Sequence, residues 1–109
     1  MPITAADVEG CRLRDTGGRV VGRVTAFYRY PRELDAPWGV AAVTRGTVMR
    51  STHLVDLYDA GIEGDSVVVV YPMDLIKEAP NYQAMLGDTL AEAHASHVLS
   101  HYRGASQLV

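Results

Sequence analysis

Asp15-Thr16-Gly17-Gly18, set between the apolar segments Val8 to Arg14 and Val20 to Tyr30, is the stretch whose reading decides the fold class. Paired glycines supply the positive φ that tight hairpin turns need, and Asp and Thr can bond their own backbone there. The flanks therefore read as two strands. The second is rich in β-branched and aromatic residues, with Val20, Gly22, Val24, Ala26 and Tyr28 on one face. Val21 and Phe27 fall on the other face, so either a bulge shifts the phase or both faces are partly covered.

Working outward, Pro31 to Pro37 is a polar, proline-bracketed loop, and Trp38 to Thr44 reads as a central strand. Gly46 permits a turn, and Thr47 to Leu57 supplies another strand, kinked around Ser51. Asp59-Ala60-Gly61 and Glu63-Gly64-Asp65 form a loop with turn chemistry. Ser66 to Tyr71 follows as a strand whose four valines from Val67 suggest burial on both faces. Short strands separated by turns imply a small sandwich or barrel, and a barrel leaves fewer exposed edges.

The pattern then becomes helical. Pro72 to Ala79 suits a short helix begun near Pro72 and stopped by Pro80. Asn81 to Gly87 is a connector. Thr89-Leu90-Ala91-Glu92 has the capping-box spacing, in which hydroxyl and carboxylate satisfy orphan amides at a helix start. That helix is expected to run to about Tyr102 and stop at Gly104, leaving 104–109 as a loose end.

A chain of 109 residues, 48% hydrophobic and 21% charged, suits one globular domain over 1–109, with the β body at about 8–71 and a helical extension at 72–103. Cys11 is the only cysteine, which excludes an intrachain disulfide and a thiolate-rich zinc site. The start, Met1-Pro2-Ile3-Thr4-Ala5-Ala6-Asp7, lacks the basic and apolar regions of a signal peptide. The strongest apolar run, Val67 to Tyr71, is too short to cross a bilayer. A cytoplasmic protein with no membrane insertion is the expectation. The net charge of −3 divides unevenly: residues 1–50 hold eight arginines against five acids, and residues 51–109 hold eight acids against Lys77 and Arg103. Such halves are expected to attract each other within one fold or across a dimer.

Several of these segments together resemble the PRC-barrel family. Asp15-Thr16-Gly17-Gly18-Arg19-Val20-Val21-Gly22-Arg23-Val24 is similar to that family's opening hairpin, and Pro37-Trp38-Gly39-Val40-Ala41-Ala42-Val43 to its third strand. His53-Leu54-Val55-Asp56-Leu57, Glu63-Gly64-Asp65 and Val69-Val70-Tyr71 match later strands and a turn. Asp74-Leu75-Ile76-Lys77-Glu78-Ala79-Pro80 resembles the run after the barrel. The resemblance implies a mainly β, six-stranded antiparallel β-barrel with a short helix and a C-terminal α-helix. It also implies a non-enzymatic binding or assembly module, standing alone and self-associating as a homodimer or homo-oligomer or docking on another protein. No cofactor is implied.

Three groups of residues carry chemistry worth weighing. His94, His97 and His101 stand at i, i+3 and i+7, within about 60° on one helix face, and imidazoles so placed are metal-ligand candidates. No H-E-x-x-H pattern supports them, and the ordinary reading is a polar or packing face. Arg19, Arg23 and Arg29 are the RNA-binding candidates of an alternative role in RNA processing or ribosome maturation. In Tyr28-Arg29-Tyr30-Pro31-Arg32, strand alternation separates the aromatics from the cations, so buried tyrosines with solvated arginines are expected. Ser51, His53 and Asp56 have the residue types of a catalytic triad, but on one strand they are expected to alternate faces and not converge. Cys11 reads as a buried, inert thiol. No catalytic residue set emerges.

Overall fold

The structure is a computed structural model that describes residues 4–46, 51–79 and 87–107, with side chains as far as Arg103. Thr4 and Asp7 open it. The Asp7 carboxylate accepts from both the backbone N–H and the hydroxyl of Thr4, at 2.9 Å each, and starts the one-turn helix α1 (Ala5–Val8). Val8 thus ends a helical turn and does not begin a strand. Gly10, at φ 83, turns the chain into β1 (Arg12–Arg14).

Asp15 Oδ1 accepts from the N–H groups of Gly17 and Arg19, which closes the expected hairpin into β2 (Val20–Tyr28). Both explanations of the mixed β2 pattern hold. The register slips against β1 between Leu13 and Arg14, and against β3 (Val40–Arg45) between Val24 and Ala26, so two bulges rephase the strand. Val21, Val24, Phe27 and Tyr28 are all buried in consequence. A Cβ on Gly22 would stand 2.4 Å from the Thr44 carbonyl oxygen, so only glycine lets β2 and β3 approach there.

β4 (Ser51–Asp56) pairs antiparallel with β3 over all six residues. Residues 47–50, with which the expected strand began, lie outside the described residues. β5 (Gly61–Glu63) and β6 (Ser66–Val68) form a hairpin around Gly64, whose φ of 61 suits a primed turn. The sequence reading treated 59–65 as loop, because three residues are too few to show a period of two. The expected strand to Tyr71 ends at Val68. Its valines alternate, Val67 and Val69 buried, Val68 half-buried and Val70 exposed, so one face alone is fully covered there.

The six strands lie in the order β4-β3-β2-β1-β6-β5, and β1 pairs with β6 in parallel. The sheet is therefore mixed, which corrects the all-antiparallel expectation, and no pairing of β4 with β5 closes it. It must nevertheless curl. Six flat strands would hold the outer two about 24 Å apart, at ~4.8 Å per step. The chain passes from Asp56 to Gly61 in five residue steps, at most about 18 Å when fully extended. A turn bond from Ala60 N–H to the Leu57 carbonyl shortens even that.

Helix α2 (Met73–Lys77) begins after Pro72, as expected, and α3 (Glu92–Gln107) follows; both pack on β4. Residues 80–86, which include Pro80 and most of the expected connector, lie outside the described residues, as do 108 and 109. Thr89 does not cap α3. It forms a parallel bridge with Arg29, its hydroxyl donates to Asp88, and the helix starts three residues later. Nor does Gly104 end it. Glycine within a helix costs only about 1 kcal/mol relative to alanine, and the helix continues to Gln107. Ile76, Ala95, Val98, Leu99 and Tyr102 join the buried residues of the sheet in one apolar cluster, so the helices share its core.

Candidate functional site

Asp56, the last residue of β4, is a carboxylate in an otherwise apolar run and is only 2% exposed. Its Oδ1 accepts from the Tyr30 hydroxyl at 2.5 Å and from Trp38 Nε1 at 2.7 Å. Its Oδ2 accepts from the Tyr71 hydroxyl at 2.6 Å and from the Tyr58 N–H at 3.2 Å. Every partner donates, which suits a carboxylate accepting on both oxygens. The donors come from the two ends of the β2–β3 connection, the β4–β5 connection and the segment after β6. One side chain thus ties three irregular segments together. Burial is the main cause, and the Asp56 carboxylate a second, that pushes the Tyr30 and Tyr71 hydroxyls far above the ordinary phenol range.

Aromatic rings extend this cluster toward the surface. Trp38 meets Tyr30 and Tyr58 edge-on, at centroid distances of 6.5 and 4.9 Å, and Tyr58 is exposed. The Arg103 guanidinium stands 5.7 Å from the centre of the Trp38 ring, within cation–π range. On the inner side, Tyr71 lies 4.5 Å from Tyr102, and the Tyr102 hydroxyl donates to the Leu54 carbonyl at 2.6 Å. With both carboxylate oxygens engaged, the cluster is an anchor for the fold, and Asp56 holds no lone pair aimed at solvent.

Sequence reasoning weighed Asp56 only as a triad member. The signal that marks it is a lone carboxylate in Leu54-Val55-Asp56-Leu57, since a buried charge must find donors. The triad does not form, but the expectation that its members stand apart needs correcting in part. Ser51 and His53, two residues apart, share a face, and Ser51 Oγ lies 3.3 Å from His53 Nε2. Asp56 is on the opposite face. Burial, then Arg45 and Lys77, hold the His53 imidazole below its ordinary range.

The α3 histidines have different surroundings. His94 is half-buried, with Nε2 enclosed and without a partner. His97 is exposed, and His101 donates from Nε2 to the Leu75 carbonyl at 2.8 Å, joining α3 to α2. No three metal-ligating side chains converge among the described residues. Cys11 is half-buried, not buried, and its thiol donates to the Asp7 carbonyl at 3.4 Å.

Arg19, Arg23 and Arg29 do not converge either. They are strung along β2, which at ~3.3 Å per residue places Arg19 and Arg29 about 30 Å apart. Arg19 pairs with Asp15 at 3.6 Å, Arg23 donates to the Gly10 carbonyl at 2.8 Å, and the Arg29 backbone bonds the segment before α3. Tyr28 and Tyr30 are buried while Arg29 and Arg32 are exposed, the separation that strand alternation implies. No helix among the described residues is long and apolar enough to cross a membrane. Compared with protein-family models and with curated proteins, the chain matches none.

Proposed function

We propose that this protein is a non-catalytic assembly module of the PRC-barrel type that associates with a second copy of itself through β5. The observation that carries the proposal is the bare outer edge of β5. All three of its residues are exposed, and Ile62 is 46% exposed. In the hairpin, Glu63 opposes Ser66 across the two-residue turn, and the Arg12 N–H bonds the Asp65 carbonyl. Ser66 therefore bonds toward β5, and the N–H and C=O of Ile62 point away from the sheet. A strand edge that pairs with nothing among the described residues and exposes Ile62 is a template for strand pairing.

Charge favours a second copy in this position. In a two-fold antiparallel pairing centred on Ile62, each Glu63 meets a glycine, Gly61, and not another carboxylate. Among the described residues, no ion pair joins the two oppositely charged halves. The ion pair found among the described residues, Arg19 with Asp15, lies inside the basic half. The order of the sequence motifs supports the family reading, as does a six-stranded curled sheet followed by two helices.

Sedimentation equilibrium tests the proposal. The expected result is a reversible dimer that Ile62→Lys converts to a monomer, with the urea midpoint unmoved at dilutions where the parent is itself monomeric. A chain that is monomeric at every concentration, or a dimer indifferent to Ile62→Lys, overturns it.

A further inference from the structure

Arg12 and Arg23 are direct cross-strand neighbours in the β1–β2 ladder. The bond from Val24 N–H to the Cys11 carbonyl, one residue beyond each, marks them as a non-hydrogen-bonded pair. Their Cα atoms are then about 4.5 Å apart, with side chains closer than in the alternate pair type. Like charges so placed repel and weaken the strand pairing. Arg14, two residues along β1, adds a third guanidinium to the same face, while Leu13 between them points into the core.

The partners of the Arg14 and Arg23 side chains orient them without neutralising them. Arg23 donates to the Gly10 carbonyl at 2.8 Å; Arg14 donates to the Gly18 carbonyl at 2.9 Å and to the Ser66 hydroxyl at 3.1 Å. Asp65 reaches only that hydroxyl, at 3.4 Å. Among the described residues, no carboxylate forms an ion pair with Arg12, Arg14 or Arg23. A neutral carbonyl thus holds Arg23, and no ion pair among the described residues neutralises either member of the repulsive pair. That is the arrangement a tetrahedral oxyanion would relieve, because guanidinium forks match its oxygens and the anion supplies the missing charge.

We propose that Arg12 and Arg23, flanked by Arg14, bind a phosphate group on the outer face of the sheet. The site is independent of self-association through β5, and it regroups the arginines around β1, where the sequence alone pointed along β2. The phosphate can be free or part of a phosphodiester chain, and one experiment separates the two.

Amide and Arg Nε–Hε resonances of the full chain would be followed during titration with sodium phosphate, with sodium chloride at matched ionic strength, and with a single-stranded oligoribonucleotide. The expected result is a saturable shift centred on Arg12 and Arg23 that chloride does not reproduce. Arg12→Gln or Arg23→Gln should weaken it by about tenfold or more, the loss of a charge-assisted contact. Both variants should fold, since each removes one member of a repulsive pair. Saturation by inorganic phosphate identifies a small phosphorylated ligand. Saturation by the oligonucleotide, at concentrations where phosphate has no effect, identifies a phosphodiester chain. An identical response to matched chloride, or an undiminished response in both variants, overturns the proposal.

Discussion

The two outer strands of the sheet are finished in opposite ways. At β4, the Leu57 N–H bonds the Gly39 carbonyl, which makes Val40–Asp56 and Ala42–Leu54 non-hydrogen-bonded pairs. The Leu54 carbonyl consequently points out of the ladder, and there the Tyr102 hydroxyl of α3 meets it. Asp56, at the end of the same strand, collects the donors of three connecting segments. At β5 no side chain among the described residues bonds the outward groups of Ile62, and the strand is limited by its length of three residues alone. A sheet edge can be protected either by capping or by brevity. The capped edge is committed to the fold, whereas the short edge stays available to a partner.

That contrast can be broken most severely at Asp56. Asp56→Ala leaves the buried Tyr30 and Tyr71 hydroxyls and the half-buried Trp38 N–H without an acceptor, and the unfolding free energy should fall by about 3–5 kcal/mol in urea denaturation. A loss below about 1 kcal/mol would mean that water replaces the carboxylate and that the anchor is dispensable. Tyr102→Phe is gentler. It strips the hydroxyl from the β4 edge and should cost about 1–3 kcal/mol, the penalty for one buried carbonyl left unpaired. At the other edge, Ile62→Lys should abolish self-association and, at dilutions where the parent is monomeric, leave unfolding within about 0.5 kcal/mol of it, since an exposed edge residue carries little of the core.

The smallest effect concerns pH. Because the imidazole of His53 is held below its ordinary range in the fold, the unfolded chain binds a proton first as pH falls. Stability should therefore decline as pH is lowered through about 6.5, the ordinary imidazole value. His53→Gln should remove that part of the slope. Urea midpoints taken between pH 8 and pH 5.5 check it, and parallel curves for parent and variant would show His53 to be uninvolved.

How legible each edge was in the sequence follows from the same physics. The Asp15–Gly18 hairpin, β2, β3 and the start of α2 could be read because turn residues and apolar periodicity are local signals. The parallel pairing of β1 with β6 could not, since nothing in either three-residue strand encodes its direction. Gly104 and Thr89 carry strong local preferences that tertiary packing overrides. Tyr30, Trp38 and Tyr71 looked like ordinary strand and loop aromatics, and only the fold brings their polar ends to Asp56 across as many as 26 residues of chain. The arginines were visible as a count, but their face was set by two bulges whose positions the pattern of β2 left open.

The central claim is that β5 is an edge held open for pairing while β4 is closed, and amide hydrogen exchange at Ile62 tests it most directly. Its N–H points away from β6 and has no partner among the described residues, so exchange should be fast in dilute protein and slow markedly as concentration rises. Exchange that stays fast at every concentration would show that β5 pairs with nothing and contradict the account.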